Sequence, residues 1–190
     1  MVKTFELDPA SDIWVILDLE ERVNTGVGDD STEEWAVRVA ASVCRHYLVN
    51  NRTVGLMSFG RDLRIIEPER GGQQMTRILE SLAMARAIGD APLGNLLQEE
   101  QRRFGRHTTL VIVTADAGDQ WLTSVQALVQ RGVRAAVILL DQTTFGGTKS
   151  PLMLFGELTA SDILTYIVRR GDDLGVALSP STGGVAAWQA

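Results

Sequence analysis

Cysteine and histidine are scarce in this sequence, and their scarcity removes several classes of function. One cysteine, Cys44, occurs among 190 residues, which excludes an internal disulfide and a thiolate metal cluster. Its place in a helical pattern predicts a small buried residue rather than a reactive thiol. Only two histidines, His46 and His107, are available as general bases. We expect His46 on a helix and His107 just before a strand, away from any ligand crevice.

Long apolar runs and an excess of basic residues are also missing. No run approaches the roughly 20 apolar residues that span a bilayer, and the first ten residues lack the apolar centre of a signal peptide. The chain as given is therefore expected to be soluble, although its abrupt start also suits a piece of a longer protein. The net charge of −6 argues against nucleic-acid binding, which needs a basic face.

The composition that remains is that of an ordinary globular domain. Apolar residues make up 45% and charged residues 22% of the chain, enough for one hydrophobic core. We predict one domain over residues 1–178, followed by a poorly ordered tail over 179–190 in which Trp188 is available to dock.

Four continuous apolar runs predict strands that are covered on both faces, as in a parallel sheet flanked by helices. Residues 58–66 predict a hairpin that adds one antiparallel edge strand, and the charges of Arg61, Asp62 and Arg64 discourage association through that edge. A last strand is predicted over residues 163–168. The four runs cover residues 13–17, 53–59, 110–114 and 135–140.

Segments of helical periodicity alternate with these strands. Ser31 followed by Glu34 predicts a capping box at the start of the first helix, and residues 141–157 predict a turn-rich connection. The fold class expected is α/β, with a doubly wound, mostly parallel sheet in three layers and a ligand crevice at the carboxyl ends of the strands. The predicted helices cover residues 31–50, 73–87, 92–103, 120–131 and 172–178.

Acidic residues concentrate in the loops that this fold brings to the crevice. The loop after the first strand begins at Asp18, the fourth strand is followed by Asp116 and Asp119, and Gly89, Asp90 and Ala91 lie between two helices. Carboxylates are the ligands of hard cations such as Mg²⁺. A solvated acidic rim is the alternative interpretation.

Motifs for phosphate binding and nucleophilic catalysis are not convincing. Gly26 and Gly28 are followed by two aspartates, which would repel a pyrophosphate, and residues 146–150 lack the glycine spacing of a P-loop. The sequence contains no G-x-S-x-G, H-E-x-x-H or C-x-x-C pattern. No catalytic residue is assigned.

Five segments in a fixed order nevertheless carry a family resemblance. The chain resembles the von Willebrand factor A-like carboxyl-terminal domain of the bacterial family called domain of unknown function 58. The resemblance spans nearly all of residues 1–178 and implies an open sheet with a metal-ion-dependent adhesion site at its top. The segments are VKTFELDPASDIWVILDLEE, STEEWAVRVAASVCRHYL, TVGLMSFG, QQMTRILESLAMARAIGDAPLGNLL and YIVRRGDDL.

This chain departs from the metal-site pattern that the resemblance implies. Asp18 occupies the first position of Asp-x-Ser-x-Ser, but the two serine positions fall on Glu20 and Arg22. The threonine of a later loop falls on Ala91, and the aspartate after the fourth strand falls on Ala115. Most of the expected coordination shell is therefore missing.

We accordingly expect a degenerate metal site in which Arg22 pairs with Asp18 or Asp116 and takes the place of the cation. The function expected is non-enzymatic protein interaction. A rearranged site in which Asp18, Glu20 and Asp116 hold Mg²⁺ stays open, as does a metal-assisted hydrolase or small-ligand binder using those carboxylates. The expected partner-binding crevice comprises Asp18, Glu20, Arg22, Asp90, Ala91, Asp116 and Asp119.

The resemblance also implies a context. Relatives work with AAA+ ATPases of the MoxR type in chaperone-like or cell-envelope assembly, and carry membrane helices in an amino-terminal part. It therefore implies a protein partner and a domain on the cytoplasmic side, tethered to the inner membrane in the full-length protein.

Overall fold

A six-stranded sheet forms the centre of the molecule. The computed structural model describes residues 11–179; the opening segment, Trp188 and all but the first residue of the predicted tail lie outside the described residues. The strand order is β3-β2-β1-β4-β5-β6, and only β3 runs antiparallel to its neighbour. The strands are β1 Asp12–Asp18, β2 Val54–Phe59, β3 Leu63–Glu69, β4 Thr108–Thr114, β5 Arg134–Leu140 and β6 Leu164–Val168.

Helices cover both faces of this sheet, which confirms the predicted three-layer α/β fold. Side chains from α1, α2 and α6 pack on one face, and those from α3, α4 and α5 pack on the other. The helices are α1 Thr32–Val49, α2 Gly72–Ala83, α3 Leu93–Glu100, α4 Leu122–Gln130, α5 Leu152–Ala160 and α6 Leu174–Ala177. No helix within residues 11–179 is long and apolar enough to cross a membrane.

Strand β1 shows why continuous apolar runs form this sheet. Ile13, Val15 and Leu17 belong to the core under α1, whereas Trp14 and Ile16 belong to the opposite core. Because successive side chains of a strand point to opposite faces, a strand covered on both sides must be apolar throughout. Parallel pairing of β1 with both β2 and β4 brings its carboxyl end to the middle of one sheet edge.

The start of α1 corrects part of the capping-box prediction. The Ser31 side chain accepts a hydrogen bond from the Glu34 N–H at 3.1 Å, as predicted. The Ser31 N–H instead donates to the Gly28 carbonyl, so Glu34 is not needed there. Glu34 turns toward Arg38, with 3.2 Å between Oε1 and Nε.

The prediction of a turn-rich connection over residues 141–157 is wrong in its second half, where α5 forms. Pro151 precedes this helix, a position that proline suits, and Leu154 and Leu158 are buried four residues apart. Turn residues at 146–150 and the exposed apolar side chains of Leu152 and Met153 hide the helical periodicity. The predicted second and third helices also end earlier, at Ala83 and Glu100.

Candidate functional site

The loop after β1 and the connection between α2 and α3 are joined by backbone hydrogen bonds. The Glu21 N–H donates to the Gly89 carbonyl at 2.9 Å, and the Gly89 N–H donates to the Leu19 carbonyl at 3.0 Å. These bonds form a parallel bridge between Glu20 and Gly89. The two loops that the sequence assigned to one crevice therefore meet directly.

Gly89 is needed for this meeting because three backbone oxygens crowd its α-carbon. A Cβ atom at this position would lie 2.7 Å from the Gly60 oxygen and 3.0 Å from the oxygens of Leu19 and Phe59. Contacts this short are not tolerated by a real side chain. The crevice geometry thus depends on glycine at position 89.

Asp18 is the buried centre of the crevice. Its side chain is only 4% exposed; its Oδ1 accepts from the Glu20 N–H at 3.1 Å and its Oδ2 accepts from the Thr114 hydroxyl at 2.6 Å. Burial raises the pKa of Asp18 from 3.8 to about 6, although both hydrogen bonds lower it, and the carboxylates of Asp116 and Glu20 raise it further.

Arg22 pairs with Glu20, which corrects the expectation that it would pair with Asp18 or Asp116. Arg22 Nη2 lies 2.7 Å from Glu20 Oε1. Each oxygen of Asp18 accepts a hydrogen bond from within the protein instead. The Arg22 side chain is 67% exposed and the Glu20 side chain 3% exposed, so the ion pair joins a surface residue to a buried one.

The second carboxylate oxygen of Glu20 takes no part in this ion pair. Glu20 Oε2 is buried and has no hydrogen-bond partner among residues 11–179. Buried carboxylate oxygens are ordinarily paired, so an exception needs a reason.

The loop after β4 supplies one further carboxylate. Ala115 is buried and Asp116, one residue later, is partly exposed. The Asp116 N–H donates to Thr114 Oγ1 at 2.8 Å, and Asp116 Oδ1 accepts from the Gly118 N–H at 2.9 Å. The structure thus brings Asp116 close enough to Asp18 to raise its pKa.

The remaining predicted residues form the rim. Asp90 and Asp119 are exposed, and Ala91 is partly exposed. His46 lies in the last turn of α1 and His107 directly before β4, at the opposite edge of the sheet from the crevice. Among the described residues, no group of three or more His, Cys, Asp or Glu side chains is arranged to hold a metal ion.

With this geometry established, comparison with known proteins identifies the family. The sequence profile of "Protein of unknown function DUF58" matches residues 1–145. The chain belongs to the DUF58 family. No curated protein sequence matches this DUF58 chain closely enough to count as a relative.

Solved structures similar to this DUF58 domain share its fold at low sequence identity. BatB from Bacteroides thetaiotaomicron has a TM-score of 0.51 and 16% identity, over 69% of this chain and 67% of that one. Proximal thread matrix protein 1 from the mussel byssus, with a zinc-occupied MIDAS motif, has a TM-score of 0.60 and 14% identity over 91% of this chain. A von Willebrand factor type A protein from Catenulispora acidiphila has a TM-score of 0.54 and 11% identity over 88%.

This chain covers only part of two of those proteins, 47% of the mussel protein and 40% of the Catenulispora protein. At such identities the likeness establishes the fold of the DUF58 domain, which is that of von Willebrand factor A domains. Activity and partners depend on the residues of the crevice and not on the fold.

Three side chains that hold the crevice together were missed at the sequence level. Thr114 joins β1 to the loop after β4. Gln142 Nε2 donates to the carbonyls of Val23 at 2.9 Å and Ala115 at 2.5 Å, and Glu33 Oε2 accepts from the Ala87 N–H at 2.7 Å. Thr114 and Gln142 lie at or just beyond the carboxyl ends of predicted strands, and that placement in the sequence would have identified them as candidates. No comparable sequence pattern marks Glu33.

Proposed function

We propose that this DUF58 domain is a non-enzymatic protein-interaction module whose binding surface is the crevice of Asp18, Glu20, Arg22, Asp90, Ala91, Asp116 and Asp119. The metal-ion-dependent adhesion site typical of the fold is degenerate in this proposal. The observation that carries it is the state of Asp18, whose two carboxylate oxygens both accept hydrogen bonds from the protein.

The other donors that a cation would need support the same proposal. Alanine stands at position 91 and at position 115, and its side chain offers no oxygen to a hard cation. The residues present therefore fit a divalent cation poorly, and the proposal assigns it no role.

The finer part of the proposal concerns the setting. We place the domain on the cytoplasmic side of the inner membrane, tethered by another part of a longer protein, with a MoxR-type AAA+ ATPase as partner in chaperone-like or cell-envelope assembly. The support is the family resemblance and the match to DUF58.

Affinity capture with the domain as bait tests the proposal. We expect one protein to be retained by the unchanged domain and lost with Asp18→Ala and with Arg22→Ala, while Arg102→Ala, an exposed arginine outside the crevice loops, retains it. Thermal unfolding of each bait separates loss of binding from loss of folding. Capture that is equal with all baits would contradict the proposal.

A metal-assisted hydrolase or small-ligand binder using Asp18, Glu20 and Asp116 is the second candidate, favoured by the unpaired Glu20 Oε2. Calorimetric titration with Mg²⁺ or Mn²⁺, together with a thermal-shift screen of nucleotides, separates the two. Tight one-to-one metal binding, or a nucleotide that raises the melting temperature and is consumed, would favour this candidate. The interaction module predicts neither.

A further inference from the structure

Glu20 combines burial, charge and an unused acceptor in the same side chain. The residue is 3% exposed, its Oε1 is paired with Arg22 at 2.7 Å, and its Oε2 has no hydrogen-bond partner within residues 11–179. A buried carboxylate oxygen that has left water without gaining a donor destabilises the fold. Glu20 Oε2 therefore remains available to accept from a donor that arrives from outside.

The position of the Glu20 carboxylate fixes where that donor would arrive. The Glu20 N–H donates to Asp18 Oδ1 at 3.1 Å, so Glu20 adjoins the buried centre of the crevice. Its other contact, Arg22, is 67% exposed, so the carboxylate lies directly beneath the solvent boundary. A donor from outside would therefore have to approach Glu20 Oε2 from the side of Arg22.

The charge of the surrounding loops selects the sign of the ligand. Segments 18–23, 89–91 and 115–119 together contain six carboxylates and one basic residue, Arg22. Such a concentration attracts cations and repels an acidic partner residue. Since the hydroxyl and carboxylate ligands that would complete a metal shell are replaced by Ala91 and Ala115, a cation that brings its own N–H donors suits the site better than a bare ion.

We propose that the crevice receives a lysine or arginine side chain of a protein partner, whose N–H groups donate to Glu20 Oε2 while Arg22 keeps Oε1. This inference rests on the proposed function and names the chemistry of the partner's contact. Glu20 then bridges two cations, one internal and one supplied by the partner. Asp116 and the exposed Asp90 and Asp119 provide the electrostatic attraction around it.

Small cations test this chemistry without knowledge of the partner. The ¹⁵N-labelled full chain is titrated by NMR with methylguanidinium chloride and with methylammonium chloride, and with tetramethylammonium chloride, which has no N–H donor, at the same ionic strength. We expect saturable shifts in residues 18–22 and 89–91 with at least one of the first two probes and none with the third. Tighter saturation of the same residues by Mg²⁺ would overturn the inference in favour of a metal site.

Glu20→Gln is the deciding variant because glutamine has the same shape and still offers an oxygen to Arg22. We expect it to weaken probe binding about tenfold or more, the usual effect of losing a charged hydrogen-bond partner, with a melting temperature equal to or above that of the unchanged domain. Glu99→Gln, which removes an equal charge from an exposed position on α3, should leave binding unchanged. Equal binding by Glu20→Gln, or a lowered melting temperature with no change in binding, would assign Glu20 a structural role only.

The outcome also separates this inference from the function on which it rests. If the probes do not bind but protein capture still depends on Asp18, the inference of a basic partner side chain is contradicted and the proposed interaction module is not. If the probes bind but no protein capture depends on the crevice, the proposed function falls, and the cation can no longer be assigned to a partner's side chain.

Discussion

Asp18 is a carboxyl group that this fold holds in two hydrogen bonds and yet makes harder to ionise. Its pKa rises from 3.8 to about 6 because burial outweighs the donors from Thr114 and Glu20. The folded protein therefore binds more protons than the unfolded chain between about pH 4 and pH 6. The contribution of Asp18 to stability therefore falls as the pH rises through that window.

The first prediction is that this pH dependence disappears in Asp18→Asn. The shift from 3.8 to about 6 corresponds to about 3 kcal/mol of stability, present below pH 4 and lost above about pH 6. Urea unfolding across this range should show the unchanged domain losing stability and Asp18→Asn remaining flat by comparison. Asp12→Asn, at the exposed opposite end of the same strand, is the charge control. A common slope for all three would contradict the assigned pKa.

Two threonines of β4 provide a matched second prediction. The Thr114 hydroxyl donates to Asp18 and accepts from the Asp116 N–H, whereas Thr109 Oγ1 is buried without a partner among the described residues. Thr114→Val should lower the free energy of unfolding by about 1–3 kcal/mol and raise the pKa of Asp18. Thr109→Val should be neutral or stabilising, since it removes an unpaired hydroxyl. Equal losses in chemical unfolding would show that the bonds of Thr114 contribute nothing.

At this scale the sequence predicted where the crevice residues lie but not which of them pair. Asp18, Glu20 and Asp116 could be placed because strand ends are visible as the ends of apolar runs. Arg22 pairs with Glu20, while Asp18 accepts from Thr114 on the neighbouring strand; a contact of the latter kind appears only when the two strands are side by side.

At the scale of elements, Gly89 allows the loop after β1 to pack closely against the connection between α2 and α3. We predict that Gly89→Ala lowers the free energy of unfolding by about 1–3 kcal/mol, because its Cβ would lie 2.7 Å from the Gly60 oxygen. It should also weaken partner capture, since the bridge to Glu20 is disturbed.

The control for that change is Gly156→Ala on α5. No atom lies within 4 Å of a Cβ built there, and alanine favours a helix over glycine by about 1 kcal/mol. We expect Gly156→Ala to raise stability in the same unfolding experiment and to leave capture unaffected. No loss of stability in Gly89→Ala would mean that movement of the loop relieves the crowding, and an equal loss in Gly156→Ala would mean that the effect is not specific to position 89.

Elements with one clear period were predicted well, and elements with a mixed signal were not. The apolar runs of β1, β4 and β5 and the periodicity of α1 all correspond to observed elements. Helix α5 was missed because only Leu154 and Leu158 are fully buried while Leu152 and Met153 face solvent, so neither a single apolar stripe nor a polar face is present. Its existence is decided by packing against the sheet.

On the scale of the whole molecule, the doubly wound sheet is the feature that sequence, structure and comparison with known proteins agree on. The doubly wound sheet follows from the alternation of strands and helices, and the DUF58 match and the similarity to von Willebrand factor A structures agree with it. Function belongs to the crevice and not to the fold. In our proposal, Asp18 is the first aspartate of a degenerate metal site, and the crevice around it binds a protein partner.

The affinity of the captured partner, measured for the unchanged domain in EDTA and again in Mg²⁺, tests this central claim most directly. Binding through the crevice without a metal ion predicts the same dissociation constant in both conditions and an increase of about tenfold or more with Glu20→Gln. Binding that requires Mg²⁺ would contradict this claim, and binding that Glu20→Gln leaves unchanged would contradict the contact between the partner and Glu20.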